Sequence, residues 1–165
     1  MIEFIKTRNV KNPIRNEVEN AGIDFFIPEK DSYTEAELAN LGTDIRISDN
    51  TITIMPHTSI LIPSGIKSKF SNNLALIANN KSGIATKKKL IFGASTIDCS
   101  YQGEWHFHLI NYSNEPQEVE FGQKIIQFIP HVISTDKMVI RDMTEQEFFT
   151  ETTTRGTGGF GSTGV

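Results

Sequence analysis

Only one cysteine, Cys99, occurs in 165 residues, so no intrachain disulfide is possible and the chain suits a reducing compartment. Basic excess is also missing. A net charge of −4 provides no general field for nucleic acid or anionic membrane, so any recognition of phosphate has to come from a local site. The opening residues, MIEFIKTRNVKNP, carry no long apolar run; neither a signal peptide nor a membrane span is expected, and the default location is cytoplasmic. Internal repeats and linkers are not visible. What remains is an ordinary globular composition, 38% hydrophobic and 22% charged, at a length that suits one core. The expected domain covers residues 1–150, followed by a polar, Thr- and Gly-rich tail at 151–165.

Most of the pattern is strand-like. EFIKT, GIDFFI, TITIM, SILIP, IKSKF and LALIA are short, rich in β-branched or aromatic residues, and separated by Pro, Gly, Asn or Ser. EWHFHLIN alternates, with Trp105, Phe107 and Leu109 on one face and Glu104, His106 and His108 on the other. KIIQFIPHVI reads as a buried strand ending near Pro130. Many short strands with frequent turns predict a sandwich or barrel. Two stretches break the pattern. SYTEAELANLG has a capping-box spacing at Ser32 and Glu35, then Leu38 and Leu41 at helical spacing and a stop at Gly42; TEQEFF, from Thr144, has the same cap chemistry.

Several segments carry chemistry. In KSGIATKKK, Ser82 and Gly83 follow a strand beside Lys81, giving a hydroxyl, exposed backbone N–H groups and a cation, the equipment for holding phosphate oxygens. The same residues also read as a solvated lysine-rich turn. In TIDCSY, Asp98 leaves a strand three residues before Tyr101, a base beside an aromatic platform, or else a turn aspartate holding its own backbone. Asp24 lies between Ile23 and Phe25, where a charge needs solvent, a partner or a metal. His106 and His108 share a strand face, but no third metal ligand is evident. Cys99 reads as a small packed residue.

The final stretch, RGTGGFGSTGV, is too rich in glycine to fold alone, with five among eleven residues. Yet it combines Arg155, able to grip phosphate with two N–H groups, with Phe160, Gly161, Ser162 and Thr163. A floppy end has no use for that set; an arm that orders over a nucleotide uses all of it.

Taken in order, AGIDFF, NKSGIA, STIDCSYQGEW, GQKIIQ and RGTGGFGSTG resemble the five motifs of the trimeric dUTPases, from about residue 20 to the end. The tail is the most specific part, and KSG alone is weak. The resemblance implies an all-β, jelly-roll-type β-sandwich, assembled as a homotrimer with shared active sites, and a C-terminal arm that closes over the nucleotide. It implies hydrolysis of dUTP to dUMP and pyrophosphate with Mg2+ bridging the phosphates. Asp98 is then the general base, and Tyr101 packs beneath the deoxyribose and excludes a 2′-hydroxyl. The hairpin FGAST, with Ser95 and Thr96, reads uracil through its backbone. Lys81, Ser82, Gly83 and Gln127 contact phosphates, Arg155, Ser162 and Thr163 grip the γ-phosphate, Gly161 belongs to the same substrate-binding arm, and Phe160 stacks on uracil. Asp24 helps to hold the hydrated metal.

Four positions depart from the family pattern. Lys81 and Lys124 stand where arginine is usual, which keeps charge but loses the planar two-point grip. Ser100 replaces a frequent acid and Ser95 a frequent glycine. A longer connection at about 29–46 includes the capped helix, read either as decoration that packs Leu38 and Leu41 onto the sandwich or as a docking site for a regulatory protein partner. A related fold, that of the dCTP deaminases, uses a glutamate where this chain has His108. A nucleotide-dependent regulatory binding protein is the alternative of a different class.

Overall fold

The structure is a computed structural model, and it describes residues 1–134, 137–149, 151, 153 and 154. Arg155, Phe160, Gly161, Ser162 and Thr163 lie outside the described residues. The chain divides into two compact units, Met1–Ile133 and Ser134–Val165.

The first unit is built from twelve strands. They are β1 (Ile2–Lys6), β2 (Ile23–Phe26), β3 (Ile45–Ser48), β4 (Thr51–Ile54), β5 (Ser59–Pro63), β6 (Ile66–Phe70), β7 (Leu74–Asn80), β8 (Leu90–Phe92), β9 (Thr96–Asp98), β10 (His106–Asn111), β11 (Gln117–Glu120) and β12 (Lys124–Val132). All pairings are antiparallel, in four small sheets ordered β2-β12-β7-β9, β5-β10-β8, β11-β4-β3 and β1-β6. The two sheets containing β12 and β10 meet through aromatic rings. Phe25 and Phe128 from one lie 5.2 and 5.0 Å from Trp105 of the loop that enters β10, and Phe4 of β1 closes the cluster edge-on at 5.7 Å. Trp105, Phe107 and Leu109, the predicted inner face, are wholly buried. Each such ring contributes about 1 kcal/mol beyond its area through these offset and edge geometries. The result is the all-β sandwich expected from the strand pattern.

Three details differ from the sequence reading. β12 does not end near Pro130 but continues to Val132, with Pro130 opposite Leu76. Beyond Phe128 this strand no longer pairs with β2, and an open edge tolerates a residue without an N–H. The helix in the 29–46 segment is α1 (Glu35–Ala39), and its capping box is Thr34 with Glu37, not Ser32 with Glu35. Ser32 instead closes a preceding 3-10 turn by donating to the Glu29 carbonyl, so its hydroxyl is already committed. Residues 82–87 form a short helix, α2 (Ser82–Lys87), rather than an open lysine-rich turn. Within the second unit, α3 (Glu145–Phe148) carries the cap read from sequence, with Thr144 N–H and hydroxyl donating to Glu147.

Candidate active site

Asp24, Gln127, Thr96 and Asp98 fall on one sheet, β2-β12-β7-β9, with Asp24 and Gln127 toward one end and Asp98 at the other. At one end, Asp24 on β2 lies opposite Gln127 on β12, which lies opposite Asn79 on β7. β7 then delivers Lys81 as the N-cap of α2, leaving Ser82 and Gly83 exposed in the first turn. A Cβ added to Gly83 would point into open space, so backbone there is accessible to a ligand. The opposite holds at Gly22. A Cβ there would sit 2.5 Å from the Gln127 side-chain carbonyl oxygen and 3.0 Å from its Cβ. Glycine is therefore what leaves room for the Gln127 side chain over residue 22.

Asp24 is buried, and both of its oxygens are engaged. Lys81 Nζ donates to Oδ1 at 2.5 Å and Lys124 Nζ approaches Oδ2 at 3.0 Å. Burial pushes the carboxyl upward, but hydrogen bonds from Lys81 and Lys124, with their charges, outweigh it and hold Asp24 below its usual value. The two lysines that replace arginine thus converge on one acid. Their stems are a quarter to a third exposed, so the ammonium groups border solvent at the mouth of α2.

At the other end, β9 pairs with the start of β7, Asp98 opposite Ala75 and Thr96 opposite Ile77. Asp98 is exposed at the strand end, and its carbonyl accepts from the Tyr101 N–H at 3.1 Å. Tyr101 is 43% exposed, with its hydroxyl donating to the Glu104 carbonyl at 3.0 Å. Gly103 lies under that ring: a Cβ there would stand 2.4 Å from the Tyr101 hydroxyl. The hairpin between β8 and β9 is held from both sides. Ala78 N–H donates to the Ser95 carbonyl at 2.7 Å, and Ala94 N–H donates to His108 Nδ1 at 3.2 Å. His108 accepts from the hairpin backbone, and His106 Nδ1 is bonded to the Glu104 carbonyl.

Asp98 and the Lys81–Ser82 turn are thus separated by the length of β7. Six residues at about 3.4 Å each put roughly 20 Å between Ala75 and Lys81 along the strand. One copy of the chain brings Asp24, Lys81, Lys124 and Gln127 together. Asp98 lies at the far end of β7 from them, with Thr96 opposite Ile77 and Ser95 bonded to Ala78 in between. Among the described residues no cluster of three or more His, Cys, Asp or Glu side chains is placed to hold a metal ion. Each oxygen of Asp24 is paired to one ammonium, Oδ1 to Lys81 and Oδ2 to Lys124. A carboxylate oxygen has a second lone-pair direction, so the residue fits a water of a cation carried in on phosphates.

Arg8, Glu37, Glu104, Gly22 and the His108 acceptor were not found from the sequence. EWHFHLIN carried the signal for two of them, since Glu104 and His108 share the polar face of an alternating strand.

The fold is shared with solved dUTPases. The staphylococcal bacteriophage 80alpha dUTPase with dUPNHPP superposes with a TM-score of 0.75 at 19% identity, covering 100% of this chain and 99% of that one. A variant dUTPase of phage phi11 of S. aureus, a structure describing coordination of a structural Mg(II) ion, gives 0.65 at 16% identity over 88% of this chain and 99% of that one. Sequence similarity is narrower and stronger. The deoxyuridine 5′-triphosphate nucleotidohydrolase of Wolbachia sp. subsp. Drosophila simulans (strain wRi) is 34% identical over 145 residues, 87% of this chain and 90% of the relative. That of Shewanella piezotolerans is 35% identical over 136 residues, 79% of this chain and 84% of the relative. The family model described as dUTPase matches residues 13–164. The chain belongs to the dUTPase family.

Proposed function

We propose that this chain hydrolyses dUTP to dUMP and pyrophosphate, keeping uracil out of DNA and supplying dUMP for thymidylate synthesis. The observation that carries the reading is the match of residues 13–164 to the dUTPase family, which includes every segment assigned a role. Asp98 orients a water and takes its proton as the water oxygen bonds to the α-phosphorus; the bond from that phosphorus to the bridging oxygen breaks, and pyrophosphate leaves. Lys81, Lys124, Ser82 and the exposed first-turn N–H groups of α2 hold phosphate oxygens, with Gln127 beside them. Asp24 keeps the lysines in place and would hold a water of the metal. Mg2+, when bound, neutralises charge developing on the phosphates. Tyr101 excludes a ribose, and the FGAST backbone matches uracil while leaving groups unpaired against cytosine. Arg155, Phe160, Gly161, Ser162 and Thr163 close over the nucleotide and exclude water.

Asp98 stands roughly 20 Å from the Lys81–Ser82 turn along β7, so we read the catalytic base as reaching the phosphates of a nucleotide held by an adjoining copy of the chain. This supports the homotrimer with shared sites that the family resemblance implies. A cytoplasmic enzyme is the matching location. The test is pyrophosphate release with Mg2+ from dUTP, dCTP, dTTP and UTP in parallel. Release from dUTP alone is expected. Equal release from all four, or none from dUTP, overturns the reading.

A further inference from the structure

We propose that Arg8, Glu37 and Glu104 form a positioning relay through which the 29–46 segment sets the pose of Tyr101. This rests on the reading of Tyr101 as the residue beneath the deoxyribose. Tyr101 is 43% exposed and rests on Gly103, and its hydroxyl bond to the Glu104 carbonyl is the polar tie that sets the ring. Glu104 is held in turn by its side chain. Oε1 accepts from Arg8 Nε at 2.7 Å and from the Gly65 N–H at 2.6 Å, while Oε2 accepts from Arg8 Nη2 at 3.1 Å. The following residue, Trp105, is buried and bonded through its N–H to the Ile66 carbonyl and through its carbonyl to the Ser64 N–H.

The guanidinium of Arg8 does not serve Glu104 alone. Nη2 also donates to Glu37 Oε1 at 2.5 Å, Nη1 donates to the Ser32 carbonyl at 2.9 Å, and the group lies 4.8 Å over the Tyr33 ring. Ser32, Tyr33 and Glu37 all belong to the 29–46 segment. Four of the five guanidinium N–H directions are committed, which leaves the plane of Arg8 little freedom to tilt. Two carboxylates share this one cation, with side-chain exposures of 12% for Arg8, 18% for Glu104 and 36% for Glu37. The segment therefore acts inward, on the loop that carries Tyr101, in a way its helical pattern alone does not reveal.

Glu37→Gln is the informative variant. Glutamine still completes a capping box with Thr34, so α1 keeps its N-terminus while the charge on Arg8 is withdrawn. Glu35→Gln, on the same helix but outside the relay, is the control. The three tyrosines are labelled as 3-fluorotyrosine, the Tyr101 fluorine resonance is assigned with Tyr101→Phe, and kcat and KM are measured for dUTP and UTP. Glu37→Gln is expected to shift or broaden the Tyr101 resonance. It is also expected to lower the dUTP-over-UTP ratio of kcat/KM by roughly three- to tenfold, through KM more than kcat, as for a misplaced positioning group. Glu35→Gln should do neither. An unmoved Tyr101 resonance in Glu37→Gln, or a moved one with unchanged selectivity, overturns the proposal. Absence of dUTP hydrolysis by the unaltered protein would instead sink the proposed function, and the resonance would still decide whether the relay sets Tyr101.

Discussion

Asp24→Asn isolates what the two lysines at the phosphate end depend on. The native carboxylate is buried and bonds Lys81 at 2.5 Å and Lys124 at 3.0 Å. Asparagine keeps one acceptor, loses the charge and turns an N–H2 toward one ammonium. Breaking a buried ion pair costs about 3–5 kcal/mol when the stranded charge cannot reach water. Here the lysine side chains are 25% and 35% exposed, so hydration and screening reduce that figure. The expected loss is about 2 kcal/mol at neutral pH, or about 4–8 °C in Tm for a chain of this size. The folded carboxyl is held below its ordinary value of 3.8, so its stabilisation is complete above that value and lost as pH falls through the lower folded one. Denaturant unfolding followed by the single tryptophan, Trp105, at fixed protomer concentration, should show a gap between wild type and variant at pH 7 that closes in strong acid. A gap below about 0.5 kcal/mol, the level of an ordinary surface change, or one of the same size at every pH, would refute the assignment.

Asp98→Asn should retain dUTP binding by calorimetry while turnover falls by roughly 10²–10⁴-fold; near-native turnover removes Asp98 as the base. Gly22→Ala has to displace Gln127, so KM for dUTP should rise several-fold with kcat changed less; unchanged kinetics would show that Gln127 is idle. His108→Ala removes the acceptor of the Ala94 N–H, and its mark should be a higher KM for dUTP with weaker rejection of dCTP. Deleting residues 155–165 should collapse kcat and leave Tm within a degree or so, a pattern that full activity in the truncated protein would contradict.

The strand inventory was readable because alternation and β-branched runs leave a direct trace. SILIP and IKSKF coincide with β5 and β6 to the residue. IRIS, LIF and QEVE were not named, since three or four residues beside turns make too short a window for periodicity. The capping box was two residues off because Ser32, Thr34, Glu35 and Glu37 satisfy the same spacing twice. Only the 3-10 turn, which engages the Ser32 hydroxyl, selects between them. Lys81 and Lys124 were recognisable as departures, yet their common partner was not, because Asp24 is 57 residues from one and 100 from the other.

The sequence by itself determined the all-β class and the family, because strand periodicity and motif order are local properties of the chain. Tertiary structure alone decided that Asp24 answers two lysines, that Arg8 ties the 29–46 segment to Glu104, and that Asp98 and Ser82 stand at opposite ends of β7. Those relations follow from strand order and register, where one residue of slip inverts every face, and neither order nor register is written in any single segment.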